Sequence, residues 1–292
     1  MAVLVFLSLL TLLVEGSLDA KSSSEVEGVE NAVRDYLHAF YDAEPSRLER
    51  SLDSSLDKVG LARKSADQPY AVKKMSFTQA LELSAVWNKD DRSVDPKSAL
   101  QKIEVLGIYP KVACAKLTAA WGIDYFHLVR HGKGWKIHHV LWQSHPGKPG
   151  AAYKPNDKDL AAVRQAGNDY IDSFYKVKPE LLDGSVDKEL KKLGLYRPSP
   201  KAAFQPAPMD FASLKELAHT AFASQKLPAD AVRGVRVIDL LDCTGVLEVR
   251  GVWGVDFVSV AKIGGTWKIR QVIWQSYPTP EEMATVAAGP GQ

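Results

Sequence analysis

The chain has 292 residues, of which 46% are hydrophobic and 25% are charged, a composition typical of globular domains. Its 37 basic and 35 acidic residues give a net charge of +2. With no basic run or stripe, this balance gives no reason to expect a nucleic-acid partner. The length favours about two domains, each large enough to fold without disulfides or metals.

An apolar segment opens the chain. Residues 2–14, AVLVFLSLLTLLV, carry no charge and are followed by small and polar residues up to Ala20. The pattern predicts a signal peptide over residues 1–20, cleaved after Gly16 or Ala20, and hence an exported protein, periplasmic or extracellular. The run is shorter than the ~20 residues that span a bilayer, so we expect no transmembrane anchor after cleavage. Because no Lys or Arg precedes the run, an uncleaved anchor and a mis-assigned start stay as alternatives.

The rest of the chain contains an internal repeat. Residues 121–146 and 253–278 align at a constant offset of 132 with 12 of 26 positions identical, and residues 33–63 align with 167–197 at an offset of 134. The alignment predicts a first copy over 24–146, a linker over 147–156, a second copy over 157–279 and a loose tail over 280–292. We expect a monomer in which the copies pack sheet to sheet as an internal pseudo-dimer.

Three helices are predicted at the start of each copy. Apolar residues recur at helical spacing in the first helix, and suitable caps or first-turn prolines precede each of the three. The predicted first or capping residues are Ser24, Pro45 and Ser76 in copy 1 and Asn156, Pro179 and Asp210 in copy 2.

The remainder of each copy has the pattern of β-strands, rich in β-branched and aromatic residues. These runs are residues 102–109, 112–130 and 134–144 in copy 1 and 233–241, 244–262 and 266–276 in copy 2. Helices followed by strands favour an α+β fold class, with three helices packed on one curved antiparallel sheet in each copy.

Two strings, WGIDYFHLV and GWKIHHVLW, with counterparts between Trp253 and Trp274, resemble the nuclear transport factor 2-like superfamily. The closest likeness is to its SnoaL-like branch described as putative lumazine-binding. The resemblance implies two copies of a cystatin-like, nuclear transport factor 2-like fold with a conical pocket in each. It does not imply one function, because the superfamily includes isomerases, dehydratases, cyclases, binding proteins and dimerisation modules.

Alternation along the strands that flank the 131–134 turn predicts which side chains face the helices. A register that pairs Leu128 with Ile137 places Asp124 and His139 on the apolar face, within reach of each other. A carboxylate in apolar surroundings has a raised pKa, so these two residues are the candidate catalytic acid and base of copy 1. Copy 2 has Gln271 in place of the histidine.

A structural role is the alternative for the carboxylate. Buried Asp124, like its counterpart Asp256, can accept hydrogen bonds from a tyrosine hydroxyl, a tryptophan indole or a helix end. The residues predicted to bind a ligand in the two pockets are Tyr36, Asp124, Phe126 and Trp135 in copy 1 and Tyr170, Asp256 and Trp267 in copy 2.

The cysteines and histidines do not form a metal-binding pattern. Cys114 and Cys243 are not equivalent in the repeat, and either one disulfide between the copies or two buried thiols would suit them. Five of the seven histidines lie between residues 127 and 145. His127 and His138 are expected opposite each other, but a third ligand is not evident. We therefore expect no metal and no cofactor.

Three functions are compatible with these patterns. The leading hypothesis is a non-catalytic module that binds a small hydrophobic molecule or a partner protein, because neither pocket has a full catalytic set. The alternative is a SnoaL-like enzyme of the isomerase or dehydratase kind that uses Asp124 and His139 as acid and base in copy 1. The third is a structural interaction module whose pockets are filled by side chains.

Overall fold

The structure is a computed structural model that describes residues 24–286, except residues 66, 91 and 225. The predicted signal peptide and the last six residues therefore lie outside the described part of the chain. Within residues 24–286, none of the described helices is both long enough and apolar enough to cross a membrane.

Copy 1 combines three helices with one six-stranded sheet. The first helix, α1, is described over residues 24–41. The other elements are α2 (Pro45–Ser51), β1 (Leu52–Ala62), β2 (Ala71–Met75), α3 (Phe77–Ser84), β3 (Gln101–Ile108), β4 (Val112–Ala119), β5 (Gly122–His131) and β6 (Gly134–Gln143). The strand order in the sheet is β2-β1-β6-β5-β4-β3.

Copy 2 repeats this arrangement. Its elements are α4 (Asp157–Tyr175), α5 (Leu181–Ser185), β7 (Val186–Tyr196), β8 (Gln205–Met209), α6 (Phe211–Thr220), β9 (Gly234–Leu240), β10 (Thr244–Gly251), β11 (Gly254–Ile263) and β12 (Thr266–Gln275). The strand order is β8-β7-β12-β11-β10-β9, which corresponds to copy 1 strand for strand. The α+β class and the two-copy architecture are thus confirmed, whereas the exact domain boundaries stay a prediction.

The helix caps agree closely with those predicted from the sequence. The Ser76 side chain accepts a hydrogen bond from the Gln79 N–H in a complete capping box at the start of α3. Asn156 caps α4 and Asp210 caps α6 in the same way. Pro45 is the first residue of α2, but α5 begins two residues after Pro179, because Pro179 and Glu180 form a turn.

Each sheet is mixed, whereas an antiparallel sheet was predicted. Strand β1 pairs parallel with β6, and β7 pairs parallel with β12. Every other strand pairing described in the two sheets is antiparallel. The sequence does not predict β1, since Asp53, Ser54 and Ser55 interrupt the alternation typical of a strand.

A glycine in each parallel strand makes room for an indole ring. A Cβ atom added to Gly60 would lie 2.0 Å from the Trp142 ring, and one added to Gly194 would lie 2.2 Å from the Trp274 ring. Only glycine allows so close an approach between the strand backbone and the indole. The rings therefore lie against β1 and β7.

One face of each sheet packs on its own helices and the other face contacts the second sheet. The α1 residues Val29, Val33, Tyr36, Leu37 and Phe40, predicted from helical spacing, are all buried in the core of copy 1. A separate apolar cluster joins residues of both copies, namely Val112, Cys114, Ile123, Tyr125, Leu195, Leu241, Val246, Phe257 and Ile273. Cys114 and Cys243 are both buried free thiols, so the disulfide alternative is wrong.

The predicted loose tail begins with an ordered turn of helix. Helix α7 (Pro280–Met283) has a complete capping box between Thr279 and Glu282. The guanidinium of Arg197 also binds the Glu282 carboxylate, at 2.7 and 2.8 Å. These contacts tie the start of the tail to copy 2.

Candidate functional site

A β-bulge in the central hairpin decides which residues face the helices. Leu128 pairs with Ile137 as predicted, but the register shifts after His127, which pairs with His139. Beyond the bulge, Asp124 lies opposite Trp142 and not opposite Leu141. An extra residue in one strand moves every later side chain to the other face. The same bulge recurs in copy 2 between Ser259 and Val260.

The bulge separates the two candidate catalytic residues. The ring of His139 lies beside His127 at the contact between the sheets, with 3.3 Å between their Nδ1 atoms. His127 in turn hydrogen-bonds Ser259 of copy 2 at 3.1 Å. Asp124 faces the helices instead. The predicted pairing of Asp124 with His139 is therefore wrong, and so is the expectation that His127 and His138 lie opposite each other.

Asp124 is fully buried and accepts hydrogen bonds from three side chains. The Tyr36 hydroxyl donates to Oδ1 at 3.1 Å, and the Trp121 indole donates to Oδ2 at 2.6 Å. The ammonium group of Lys58 lies 3.3 Å from Oδ1 and 2.5 Å from the Tyr36 hydroxyl oxygen. We call Tyr36, Lys58, Trp121 and Asp124 the copy-1 cluster. The three donors of this cluster satisfy the hydrogen-bonding capacity of the Asp124 carboxylate, as the structural alternative predicts.

Copy 2 contains the same four residue types at the equivalent positions. Tyr170, Lys192, Trp253 and Asp256 form the copy-2 cluster. The Trp253 indole donates to Asp256 Oδ2 at 3.1 Å, and Lys192 donates to the Tyr170 hydroxyl at 2.7 Å. Lys192 lies 3.6 Å from Asp256 Oδ1, which has no hydrogen-bond partner among the described residues. This carboxylate is thus less completely bonded than that of Asp124.

Burial is the largest cause of the pKa shifts of the lysines and tyrosines in the two clusters. It lowers the pKa of Lys58 and of Lys192, because the charged ammonium is costly away from water, although the nearby carboxylate opposes the shift. Burial also raises the pKa of Tyr36 and Tyr170 well above the usual value. In copy 2, burial raises the pKa of Asp256, against the opposing effect of Lys192.

The other predicted ligand-binding residues lie elsewhere in the core. Phe126 is buried and its ring packs edge-to-face on Tyr36 at 5.0 Å. The Trp135 indole donates to Glu25 of α1 at 3.3 Å. The Trp267 indole donates to Asp159 of α4 at 2.8 Å. The two tryptophans therefore anchor the first helices to the sheets.

Aromatic rings surround the copy-1 cluster on its helix side. Trp121 packs edge-to-face on Trp87 at 5.2 Å and on Tyr41 at 5.5 Å, and Phe40 lies 5.5 Å from the same indole. In copy 2, Trp253 packs against its own aromatic neighbours in the same manner. Packed aromatic rings thus line the helix side of both clusters.

Lys58 and Lys192 are the site residues that sequence reasoning missed. The repeat contained the signal, because both lysines occupy the same position at the 134 offset. Without a predicted β1, their strand face was unknown. A cationic side chain is also an unexpected core residue, since lysine is almost never fully buried unless it is paired.

Two clefts lie on the surface between the copies. The first, of about 1330 Å³, is lined by β1 and the β5–β6 hairpin of copy 1 and by β7 and β8 of copy 2. The second runs along β3 and β9. Among the described residues, no group of three or more His, Cys, Asp or Glu is placed to hold a metal ion.

Comparison with protein families gives a match over the first copy. Residues 24–143 match a family described as putative lumazine-binding. The resemblance predicted from the sequence is therefore confirmed for the first copy, which is similar to this family over those residues. No curated protein matches the chain.

Three solved structures similar to this chain each cover less than half of it. A nuclear transport factor 2-like protein of unknown function from Silicibacter pomeroyi is 12% identical, covers 42% of this chain and 100% of its own, and has a TM-score of 0.36. A similar protein from Shewanella baltica is 14% identical over 43% of this chain and 99% of its own, with a TM-score of 0.35. A ketosteroid isomerase-like protein from Erwinia carotovora atroseptica is 12% identical over 42% and 100%, with a TM-score of 0.32.

Proposed function

We propose that this protein is an exported, non-catalytic binding module in which two nuclear transport factor 2-like copies pack sheet to sheet as an internal pseudo-dimer. The observation that carries the proposal is the state of Asp124. Its two oxygens accept hydrogen bonds from Tyr36, Lys58 and Trp121, and none of its surface is exposed.

A general base must reach the proton that it removes. Asp124 is enclosed by its three donors and by the aromatic side chains around Trp121, so no substrate atom has a route to it. His139, the other candidate, lies on the opposite sheet face beside His127. Burial also lowers the pKa of His139 well below the usual value. Neither residue supports acid–base chemistry in copy 1.

Contacts across the two sheets support the pseudo-dimer. The Gln143 side-chain oxygen accepts hydrogen bonds from the Thr244 N–H at 3.0 Å and from the Thr244 hydroxyl at 2.7 Å. Its equivalent, Gln275, accepts from the Lys111 N–H at 2.8 Å. His127 and Ser259, which are equivalent positions, hydrogen-bond each other. Reciprocal contacts of this kind are what a two-fold axis between two copies produces.

Native mass spectrometry of the protein purified from the organism that produces it naturally tests the binding function. We expect a bound small molecule, retained under mild desolvation and lost under harsher activation. A chain with no added mass that also fails to bind a panel of flat, amphipathic molecules, lumazine among them, would leave only a structural role.

Export is tested on the same material. Intact mass and N-terminal sequencing should place the mature start after Gly16 or Ala20, with the protein outside the cytoplasm. Cytoplasmic protein that retains residues 1–20 would remove this part of the proposal.

A further inference from the structure

Two histidines lie buried in the contact between the sheets, His127 on β5 and His139 on β6. Their Nδ1 atoms are 3.3 Å apart, and the Nε2 atom of His127 lies 3.1 Å from the Ser259 hydroxyl of copy 2. A hydrogen bond between two Nδ1 atoms needs a proton on one of them and a lone pair on the other. When both rings are charged, two N–H groups face each other and this hydrogen bond is lost.

The groups around His139 oppose a positive charge on its ring. Burial lowers the pKa of His139 most, and four cationic neighbours lower it further: His138, His127, Arg270 and Lys191. Asp57 on β1 is the strand partner of His139, and its carboxylate lies 3.7 Å from the Arg270 guanidinium. The one acid beside this ring thus has a permanent cation close to it.

The groups around His127 also disfavour its charged form. Burial and then the charge of His138 lower the pKa of His127 to about 3. On β4 its strand partner is Cys114, a neutral thiol whose pKa is raised by burial. From copy 2 it meets only the hydroxyl of Ser259 among its hydrogen-bond partners in the described part of the chain. No carboxylate therefore acts directly on this ring.

Water can reach both histidines without unfolding either copy. Phe126 and Leu128, the neighbours of His127, pack in the core of copy 1, and so does Val140 beside His139. Both histidines therefore lie on the opposite sheet face, towards copy 2, and the first cleft already reaches His139. Moving the sheets apart would hydrate the two rings while each sheet keeps its own helices.

We propose that the contact between the copies is an acid-sensitive switch, in which protonation of His127 and His139 separates the two sheets without unfolding either copy. A histidine in water takes up a proton near pH 6.5, whereas the buried rings do not, so a fall in pH favours the separated form. The separated form exposes apolar residues that join the copies, among them Val112, Tyr125 and Phe257. This inference rests on the proposed sheet-to-sheet packing and adds a regulation to it.

The two cysteines can report the separation. Cys114 packs in the apolar cluster that joins the copies, and Cys243 of copy 2 packs against Val59, Leu61 and Leu141 of copy 1. Both thiols are free and buried, so a thiol reagent should reach them when the contact opens. The reagent is 4,4′-dithiodipyridine, which reacts with thiols in acid as well as at neutral pH. Its rate with urea-unfolded protein at each pH is the reference.

We expect both thiols of the mature full-length protein to be protected at about pH 7.5. Between about pH 6 and pH 4.5, the reference-corrected rate should rise about tenfold per pH unit for each histidine that is protonated on opening. The far-UV circular dichroism should stay that of the folded protein. The rate should depend on urea less steeply than global unfolding does, because separation exposes less surface. A rate independent of pH, or one with the full urea dependence of unfolding, would overturn the proposal.

The decisive variant is His127→Ser combined with His139→Gln, which installs the residues of copy 2. Carboxylates that bind across the contact, such as Asp239 with Lys116, are common to both proteins, so their difference isolates the histidines. We expect the variant to lose the rise in rate. His219→Gln, at an exposed position in the last turn of α6, is the matched control and should keep it. If the double variant does not fold, His139→Gln alone should lower the rise by about tenfold per pH unit. A wild-type rise in the histidine variants would contradict the switch.

The outcomes separate the switch from the packing on which it rests. If the thiols of the folded wild-type protein react at about pH 7.5 as fast as those of the unfolded protein, the proposed packing fails. If the thiols stay protected at every pH at which the protein is folded, the packing stands and the switch fails.

Discussion

The copy-1 and copy-2 clusters have the same residue types, but they differ in how completely the carboxylate is bonded. Asp124 accepts from Tyr36, Lys58 and Trp121. Asp256 has a longer contact to its lysine and one oxygen without a partner among the described residues. Duplication thus preserved the buried lysine and carboxylate in both cores, while the strength of the pairing diverged. The comparison indicates a structural role common to both clusters.

Asp124→Asn is expected to have the largest effect. The substitution keeps an acceptor for Trp121 but leaves the buried Lys58 ammonium without its counter-charge. The free energy of unfolding should fall by about 3–5 kcal/mol, measured by urea titration. The double variant Lys58→Met with Asp124→Asn should recover part of this loss, because no buried charge then remains. A double variant as unstable as the sum of the two single variants would show that the ion pair is not the cause.

The second expected effect is a difference between the copies in sensitivity to acid, because only copy 1 has His127 and His139. Burial lowers the pKa of His127 to about 3 and that of His139 well below its usual value. A group whose pKa is lowered on folding contributes stability that is complete above its unfolded pKa near 6.5 and is lost as the pH falls. His127 should therefore cost ~1.4 kcal/mol of unfolding free energy per pH unit as the pH falls from 6.5 towards about 3, and His139 should add a loss of the same sign.

The matched variant for this acid effect is His127→Ser combined with His139→Gln, which installs the copy-2 residues Ser259 and Gln271. Urea titrations at a series of pH values should give a shallower acid slope for the variant than for the wild-type protein. Equal slopes would assign the acid sensitivity to other groups.

Asp256→Asn is expected to have the smallest effect of the three. Burial already raises the pKa of this carboxyl, so the folded protein gains less from its ionised form than it does at a fully paired acid. We expect a loss of about 1–2 kcal/mol, the cost of disturbing a buried hydrogen-bonding group. If Asp256→Asn and Asp124→Asn lower the free energy of unfolding equally, the proposed difference in pairing strength between the two clusters is wrong.

The repeat and the helix caps were readable from sequence because they depend on local or directly aligned residues. Asn156, Ser76 and Asp210 all cap helices as expected. Strand β1 was not readable, since its polar residues hide the alternation and its pairing partner β6 is distant in sequence. Without a predicted β1, the sequence could not indicate on which face of the sheet the Lys58 side chain lies.

The register error has a different physical origin. A β-bulge adds one residue to a strand, and no residue type in the stretch from His127 to His139 specifies it. The first half of the hairpin register was right and the second half was shifted by one. That single shift moved His139 from the core to the contact between the sheets. Asp124 was correctly placed as a buried acceptor because its face is set by β5 alone.

The parallel pairing of β1 with β6 also has a consequence for the order of folding. Lys58 lies beside Val140, so most of copy 1 separates these two neighbours along the chain. Closing so long a loop costs entropy that only later contacts recover. The antiparallel β5–β6 hairpin needs no such closure, so we expect it to form before β1 pairs with β6. We therefore expect the buried lysine to meet its carboxylate late in folding, and we expect the same order in copy 2, where Lys192 lies beside Val272.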